Sequence, residues 1–148
     1  MRRAVRAIVI KDGHLLVMHR KKLDDEYYTL IGGGVEAGET DEQALYRELQ
    51  EETGVEISNP RLVVVEEAAE RFGVQHVFAC DYVSGEPRLA LDSGEALDNA
   101  RGQNMYLPKW IELRILPTLP FRSNELLQQL LVMFARGYPA QPVYIESD

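Results

Sequence analysis

The sequence predicts a mixed α/β sandwich, in which helices pack against a sheet that contains both parallel and antiparallel strands. Short runs rich in β-branched residues alternate with turn signals, and two amphipathic helical stretches interrupt them. The 148 residues are enough for one hydrophobic core, and a composition of 45% apolar and 27% charged residues is ordinary for a soluble globular protein. We therefore expect residues 1–148 to form a single domain.

The N-terminal part of the chain is predicted to begin with strands. Three apolar or aromatic runs are read as strands: Arg3–Ile10, His14–Arg20 and Tyr27–Ile31. The first two are joined by Lys11-Asp12-Gly13, and an Asp-Gly pair between such runs favours a tight hairpin. The charged segment Lys21–Glu26 is expected to be a loop, and the third strand is expected to end at a glycine turn.

A helix is predicted to follow this turn. Thr40 is a good N-cap residue, Gln43 stands three positions later, and acidic residues fill the first turn. The helix is expected to reach about Thr53, because Gly54 is a typical C-terminal stop.

The second half of the chain is predicted to add strands and a final helix. The expected strands are Arg61–Ala69, Val74–Val83 and one within Met105–Leu113. Leu91–Asn104 is polar and is expected to be a mobile loop. Ser123 can cap a helix that reaches about Arg136, and the tail from Tyr138 is either loose or an added edge strand.

Charge and cysteine content exclude some function classes. The net charge is −8, and −6 of it lies between Gly33 and Val55, so no basic stripe predicts binding to duplex nucleic acid. No apolar run approaches the length of a membrane span. Cys80 is the single cysteine, which rules out an internal disulfide and fits a cytoplasmic location.

Three acidic residues of the first helix carry the functional signal. Glu48, Glu51 and Glu52 fall within an arc of about 100° at the rim of the buried face. A solvated acidic face would explain three glutamates alone, but a neighbouring glycine turn and a buttressing Arg47 favour a site for a hard divalent cation.

The segment from Gly33 to Val55 resembles a complete Nudix box. Gly33 and Glu39 stand at the family spacing before an Arg-Glu-x-x-Glu-Glu sequence that begins at Arg47 and leads to Gly54. Strands before and after the box and a C-terminal helix fit the Nudix order, so the resemblance implies an α/β/α sandwich. Two positions depart from the family pattern: Ile31 replaces the usual proline and Tyr28 the common tryptophan.

The resemblance implies hydrolysis of the pyrophosphate linkage of a nucleoside diphosphate derivative by water that Mg²⁺, or alternatively Mn²⁺, activates. The implied metal ligands are Glu48, Glu51, Glu52 and the carbonyl of Gly32. Arg47 is implied to orient the glutamates, and Glu39 is implied to pair with Arg47 or to support a metal through water. The general base is implied to be the Glu48 carboxylate or an acid on a loop beyond the box, and Glu95 is the candidate for such an acid or for an extra ligand.

The substrate is expected to be a nucleoside triphosphate or a related nucleotide. A nucleotide sugar or another nucleoside-diphosphate derivative is the alternative within the same chemistry, and a non-catalytic nucleotide sensor is the alternative outside it. The candidate substrate-binding residues are Gly33, Tyr28, Phe121 and Asn124, together with Glu95. A purine edge suits the amide of Asn124, and a base can stack on an aromatic ring. A homodimer is also possible.

Overall fold

The structure is a computed structural model that describes residues 2–68, 73–88 and 104–147. Eight strands in these ranges form one mixed sheet. The strands are β1 (Arg3–Lys11), β2 (His14–Lys22), β3 (Asp25–Thr29), β4 (Ile31–Gly34), β5 (Glu56–Ala68), β6 (Gly73–Ser84), β7 (Asn104–Glu112) and β8 (Val143–Ser147). The helices are α1 (Asp41–Glu52) and α2 (Asn124–Arg136), and a 3₁₀ helix covers Leu113–Thr118.

The strand order explains why the sheet is mixed. The main path runs β3-β2-β1-β6-β5-β8, while β4 pairs with β1 and β7 pairs with β2. The β1–β6 and β5–β8 pairs are parallel, whereas the β1–β2, β1–β4 and β5–β6 pairs are antiparallel. The hairpin between β1 and β2 is confirmed, because Asp12 and Gly13 both adopt positive φ angles.

A hydrophobic core lies on each face of the sheet. On one face α1 buries its apolar stripe against β1, with Leu45 and Leu49 fully buried beside Val5 and Val9. On the other face α2 packs Leu130 and its neighbours against the opposite side of the same strands. One helix on each side of a mixed sheet confirms the predicted α/β/α sandwich.

The structure corrects the predicted loop at Lys21–Glu26. Most of that segment continues β2 and β3, which pair as far as Lys22 and Asp25. The chain reverses within the two residues between these strands, where Leu23 has a φ of 54°. A two-residue turn joins antiparallel strands without a longer loop, so the charged composition was a poor guide.

The glycine segment is also different from the predicted turn. Ile31–Gly34 forms the short strand β4, in which Gly32 is paired with Arg6 of β1. A β-carbon at Gly32 would lie 1.9 Å from the carbonyl oxygen of Val5, so glycine is what allows the two backbones to approach so closely.

Two other boundaries were predicted inaccurately or left open. Strand β5 begins at Glu56, five residues before the predicted start, and passes Pro60 through an irregular register. The tail from Tyr138 contains an added edge strand, because Val143–Ser147 pairs in parallel with β5. The predicted loop Leu91–Asn104 lies outside the described residues, except for Asn104, which begins β7. Neither described helix is long and apolar enough to cross a membrane.

Candidate active site

Helix α1 begins and ends as its sequence predicts. The Thr40 hydroxyl accepts a hydrogen bond from the backbone N–H of Gln43 at 3.1 Å, and the Gln43 side chain accepts one from the N–H of Thr40 at 2.9 Å. The N–H of Gly54, whose φ is 72°, closes the other end on the carbonyls of Leu49 and Gln50. These caps fix where the acidic residues of α1 meet β4.

The Arg47 guanidinium lies at the centre of the acidic cluster. It binds Glu39 through two hydrogen bonds, from Nε at 2.7 Å and from a terminal nitrogen at 2.9 Å. It also donates to the carboxylates of Glu48 at 3.0 Å and Glu51 at 3.4 Å, and to the carbonyl of Gly34 at 3.0 Å. The planar guanidinium therefore links α1 to the loop before it and to β4, the glycine strand.

The ion pair between Arg47 and Glu39 keeps both of these groups charged. The hydrogen bond from Arg47, and then the N–H of Glu36, lower the pKa of Glu39 from 4.5 to about 2. The hydrogen bond to Glu39 in turn raises the pKa of Arg47 above its ordinary value. The predicted pairing of Glu39 with Arg47 is thus present in the structure and is ionised at any ordinary pH.

Two glutamates of α1 press directly on the glycine strand. The Glu48 carboxylate lies so close to Gly33 that a β-carbon there would be 2.6 Å from both Cδ and Oε1. The Glu52 side chain is 3% exposed, and its Oε2 accepts a hydrogen bond from the N–H of Gly32 at 3.2 Å. The glycines therefore let two carboxylates share one strip of backbone.

Glu51 differs from its two neighbours on α1. Its side chain is 52% exposed, whereas that of Glu48 is 12% exposed. Among the residues that the structure describes, no three acidic, histidine or cysteine side chains already converge on one point where a metal ion could sit. The carboxylate oxygens of Glu48 and Glu52 fit a hard divalent cation in chemistry and in their shared position on the glycine strand.

The candidate substrate residues outside the box lie in different environments. Tyr28 is half-buried and stacks on His19 with ring centroids 4.4 Å apart. Phe121 is 7% exposed and belongs to the core beneath α2, which is an unfavourable place for stacking on a base. Asn124 is exposed at the start of α2, where it accepts a hydrogen bond from Gln128 at 3.4 Å. Glu95 lies outside the described residues.

One polar cluster beside this site has no signal in the sequence. Glu66, Gln75 and Ser123 are buried together, and Arg6 donates a hydrogen bond to Gln75. Strand periodicity places the first two on the face toward α2, but it cannot tell a buried glutamate from a solvated one. Their partners come from segments far apart in the chain.

Comparison with curated proteins gives relatives with a common description. An NAD-capped RNA hydrolase of Vibrio vulnificus is 38% identical over 90 residues, which are 61% of this chain and 34% of that protein. An NAD-capped RNA hydrolase of Escherichia coli is 28% identical over 128 residues, covering 86% of this chain and 47% of that protein. The chain spans between a third and a half of the length of these relatives.

Comparison with solved structures supports the fold. A NUDIX hydrolase from Nitrosomonas europaea superposes with a TM-score of 0.70 at 21% identity, covering 94% of this chain and 93% of that one. A likeness at this level of identity establishes the architecture. The family model described as the NUDIX domain matches residues 1–130, which include both glutamates that contact the glycine strand and the arginine that binds Glu48. The chain therefore belongs to the Nudix hydrolase family.

Proposed function

We propose that this protein hydrolyses the pyrophosphate linkage of a nucleoside diphosphate derivative with the help of Mg²⁺. The observation that carries the proposal is the packing of Glu48 and Glu52 against Gly33 and Gly32, with Arg47 bound beside them. This arrangement places two carboxylates beside the backbone of Gly32 and Gly33, where no glycine side chain blocks the approach of a substrate. A pyrophosphate could approach this backbone once cations offset the repulsion.

The residues of the box divide the work between binding and positioning. Glu48, Glu51, Glu52 and the carbonyl of Gly32 are the proposed ligands of the cations. When bound, divalent cations neutralise the pyrophosphate and lower the pKa of a coordinated water. Arg47 holds the Glu48 carboxylate in place by a hydrogen bond. Glu39 in turn fixes the Arg47 guanidinium by accepting a hydrogen bond from it. We propose Glu48 as the general base, because its carboxylate is the one that lies against Gly33; Glu95 is the alternative.

Two substrate classes remain candidates. A nucleoside triphosphate is the expectation from the sequence, with the exposed amide of Asn124 as a base contact. A dinucleotide with an NAD-type linkage is the second candidate, because both curated relatives are NAD-capped RNA hydrolases. Both contain the same phosphoric anhydride, so one catalytic arrangement serves either. The expected homodimer stays a prediction that light scattering can check.

The test begins with a hydrolysis screen of the wild-type protein. Nucleoside triphosphates, NAD, ADP-ribose and nucleotide sugars are incubated with Mg²⁺ or Mn²⁺, and the products are identified by mass. Pyrophosphate plus a monophosphate identifies a triphosphate substrate, and two monophosphates from NAD identify the dinucleotide class. Tight nucleotide binding without turnover would replace the proposal with a sensor.

The site assignment is tested with Glu52→Gln, which removes one charge and keeps the shape of the side chain. We expect kcat to fall by on the order of 10³-fold, while the circular dichroism spectrum stays native. The matched control is Glu42→Gln, an exposed acid on the first turn of the same helix. Activity of Glu52→Gln within a few-fold of wild type at saturating Mg²⁺ would contradict the assignment.

A further inference from the structure

A chain of buried polar side chains connects β1 to the beginning of α2. The Arg6 Nε donates a hydrogen bond to Gln75 Oε1 at 2.7 Å, and Gln75 Nε2 donates to Glu66 Oε1 at 2.8 Å. The other oxygen of Glu66 accepts a hydrogen bond from the Ser123 hydroxyl at 2.5 Å. Ser123 Oγ in turn accepts one from the N–H of Leu126 and thereby caps α2.

The order of the groups along these hydrogen bonds leaves the side chains little freedom to change orientation. A cation, an amide, an anion and a hydroxyl follow one another, and all four residues are less than 10% exposed. The amide of Gln75 can satisfy Arg6 only with its oxygen and Glu66 only with its nitrogen, so its orientation is fixed. The cavity beside Arg6 and Gln75 has a volume of about 10 Å³, which is at most enough for one water molecule.

One end of this chain of hydrogen-bonded side chains reaches the glycine strand. Arg6 is paired through its backbone with Gly32, and its side chain also donates to the carbonyl of Leu30 at 3.3 Å. Burial lowers the pKa of Arg6, whereas the carboxylates of Glu52 and Glu48 raise it. The guanidinium therefore lies within the electrostatic reach of Glu52 and Glu48, which contact the same glycine strand.

The other end reaches the segment that leads into α2. The N–H of Tyr28 donates to the carbonyl of Pro120 at 3.0 Å, and the N–H of Arg122 donates to the carbonyl of Tyr28 at 2.9 Å. These bonds hold the segment to β3, but they stop one residue before the helix cap. Ser123 is instead held by its hydrogen bond to the buried Glu66 carboxylate, and the exposed Asn124 is the next residue in the sequence.

We propose that Glu66 and Gln75 are positioning residues that fix the first turn of α2 relative to the glycine strand. The turn then presents its exposed edge to the nucleoside part of the substrate, at a set distance from the carboxylates that act on the phosphates. Arg47 holds the Glu48 carboxylate through a separate network. Loss of the buried chain should therefore weaken substrate binding more than it slows the chemical step. This inference rests on the proposed function.

The sharpest test exchanges the two middle residues. In Gln75→Glu, two carboxylates face each other in a buried site, and we expect KM to rise on the order of tenfold with kcat within about threefold of wild type. In the double variant Glu66→Gln with Gln75→Glu, the carboxylate faces Arg6 and the amide faces Ser123. Every hydrogen bond can form again, so KM should return to within about twofold of wild type.

Two further variants keep the test decisive if Gln75→Glu fails to fold. Ser123→Ala removes both hydrogen bonds of the Ser123 hydroxyl, the one to Glu66 and the one from the N–H of Leu126, and should raise KM in the same direction. Leu130→Ala is the matched control, because it opens a cavity under the same helix without touching the polar chain. It should lower Tm and leave KM unchanged. Variants that lower Tm as this control does, with no rise in KM, would overturn the inference, and so would an exchange that fails to restore KM.

The wild-type screen separates this inference from the proposed function. An active wild type with unchanged KM in the variants counts against the positioning role alone. If the wild type is inactive, the proposed function fails, and the affinity for α,β-methylene-ADP with Mg²⁺ gives the same comparison by calorimetry. A wild type that neither hydrolyses nor binds would overturn both.

Discussion

Gly33 offers the most direct test of the catalytic geometry. Its φ angle is not in the left-handed region, so alanine can adopt the same backbone conformation. The added β-carbon, however, would lie 2.6 Å from Cδ and Oε1 of Glu48, whereas ordinary contacts begin at 3.4 Å. The Glu48 carboxylate must therefore retreat by about 0.8 Å.

The expected consequence of Gly33→Ala is a large loss of activity with little loss of stability. A catalytic group misplaced by about 1 Å can reduce the rate on the order of 10²-fold, so kcat/KM should fall by about that factor. The weakened bond between Arg47 and Glu48 costs about 1 kcal/mol, and the reduced freedom of the unfolded chain offsets it by about 0.4–1 kcal/mol. Tm should then stay within about 3 °C of wild type.

The neighbouring glycines provide matched controls for this experiment. A β-carbon on Gly34 meets Arg2 at 3.6 Å, which is an ordinary contact, so Gly34→Ala should keep nearly full activity. A β-carbon on Gly32 would lie 1.9 Å from the backbone oxygen of Val5, which cannot rotate away. We expect Gly32→Ala to separate β1 from β4 and to destabilise the fold by more than about 4 kcal/mol.

Steady-state kinetics and thermal unfolding on the three variants decide the matter. Gly33→Ala with wild-type kcat/KM would show that the position of Glu48 against the glycine strand is irrelevant to catalysis. A Gly33→Ala variant as unstable as Gly32→Ala would show that the close contact at this position is structural.

Four further predictions concern the same region and the core. Arg47→Lys keeps the charge but loses the paired hydrogen bonds to Glu39, so kcat/KM should drop on the order of 10- to 100-fold. An equal loss in Arg47→Ala and Arg47→Lys would confirm that the planar guanidinium matters more than its charge. Because the pKa of Glu39 is about 2 in the folded protein and 4.5 ordinarily, its ionised form stabilises the fold fully above pH 4.5. That contribution should vanish as the pH falls toward 2, and urea titrations of Glu39→Gln should lack this part of the pH dependence. Chelation with EDTA should abolish hydrolysis reversibly, with Mg²⁺ restoring it, and activity that survives chelation would contradict the role of divalent cations. Burial raises the pKa of Cys80 to about 12, so native protein should react with a disulfide reagent at pH 8 far more slowly than urea-unfolded protein.

Local signals predicted the helices and the hairpin well. Thr40, Gln43 and Gly54 lie where capping chemistry requires them, and the Asp-Gly hairpin forms as expected. Such features depend on residues a few positions apart, so the sequence displays them directly. The pairing of Glu39 with Arg47 belongs to the same class, since the two stand only eight positions apart with one helix start between them.

Features that depend on distant segments were predicted poorly. The glycine segment was expected to be a turn, but it is a strand because its backbone pairs with β1, where Gly32 lies opposite Arg6. The segment Lys21–Glu26 was expected to be a loop, yet its first residues extend β2, which pairs there with the distant strand β7 as well as with β3. Phe121 was a candidate for base stacking, and the structure places it in the core beneath α2.

The family of this protein and the residues of its acidic cluster can be read from one local stretch of sequence. The glutamates, Arg47 and the glycines stand at fixed spacings within 23 residues, and a spacing on one helix and its preceding loop already implies proximity. Tertiary structure alone decided which carboxylates press on the glycine strand and how a buried glutamate reaches the cap of the last helix. Ser123 and Glu66 are 57 residues apart, and the sheet brings them to a hydrogen-bond distance that no local pattern encodes.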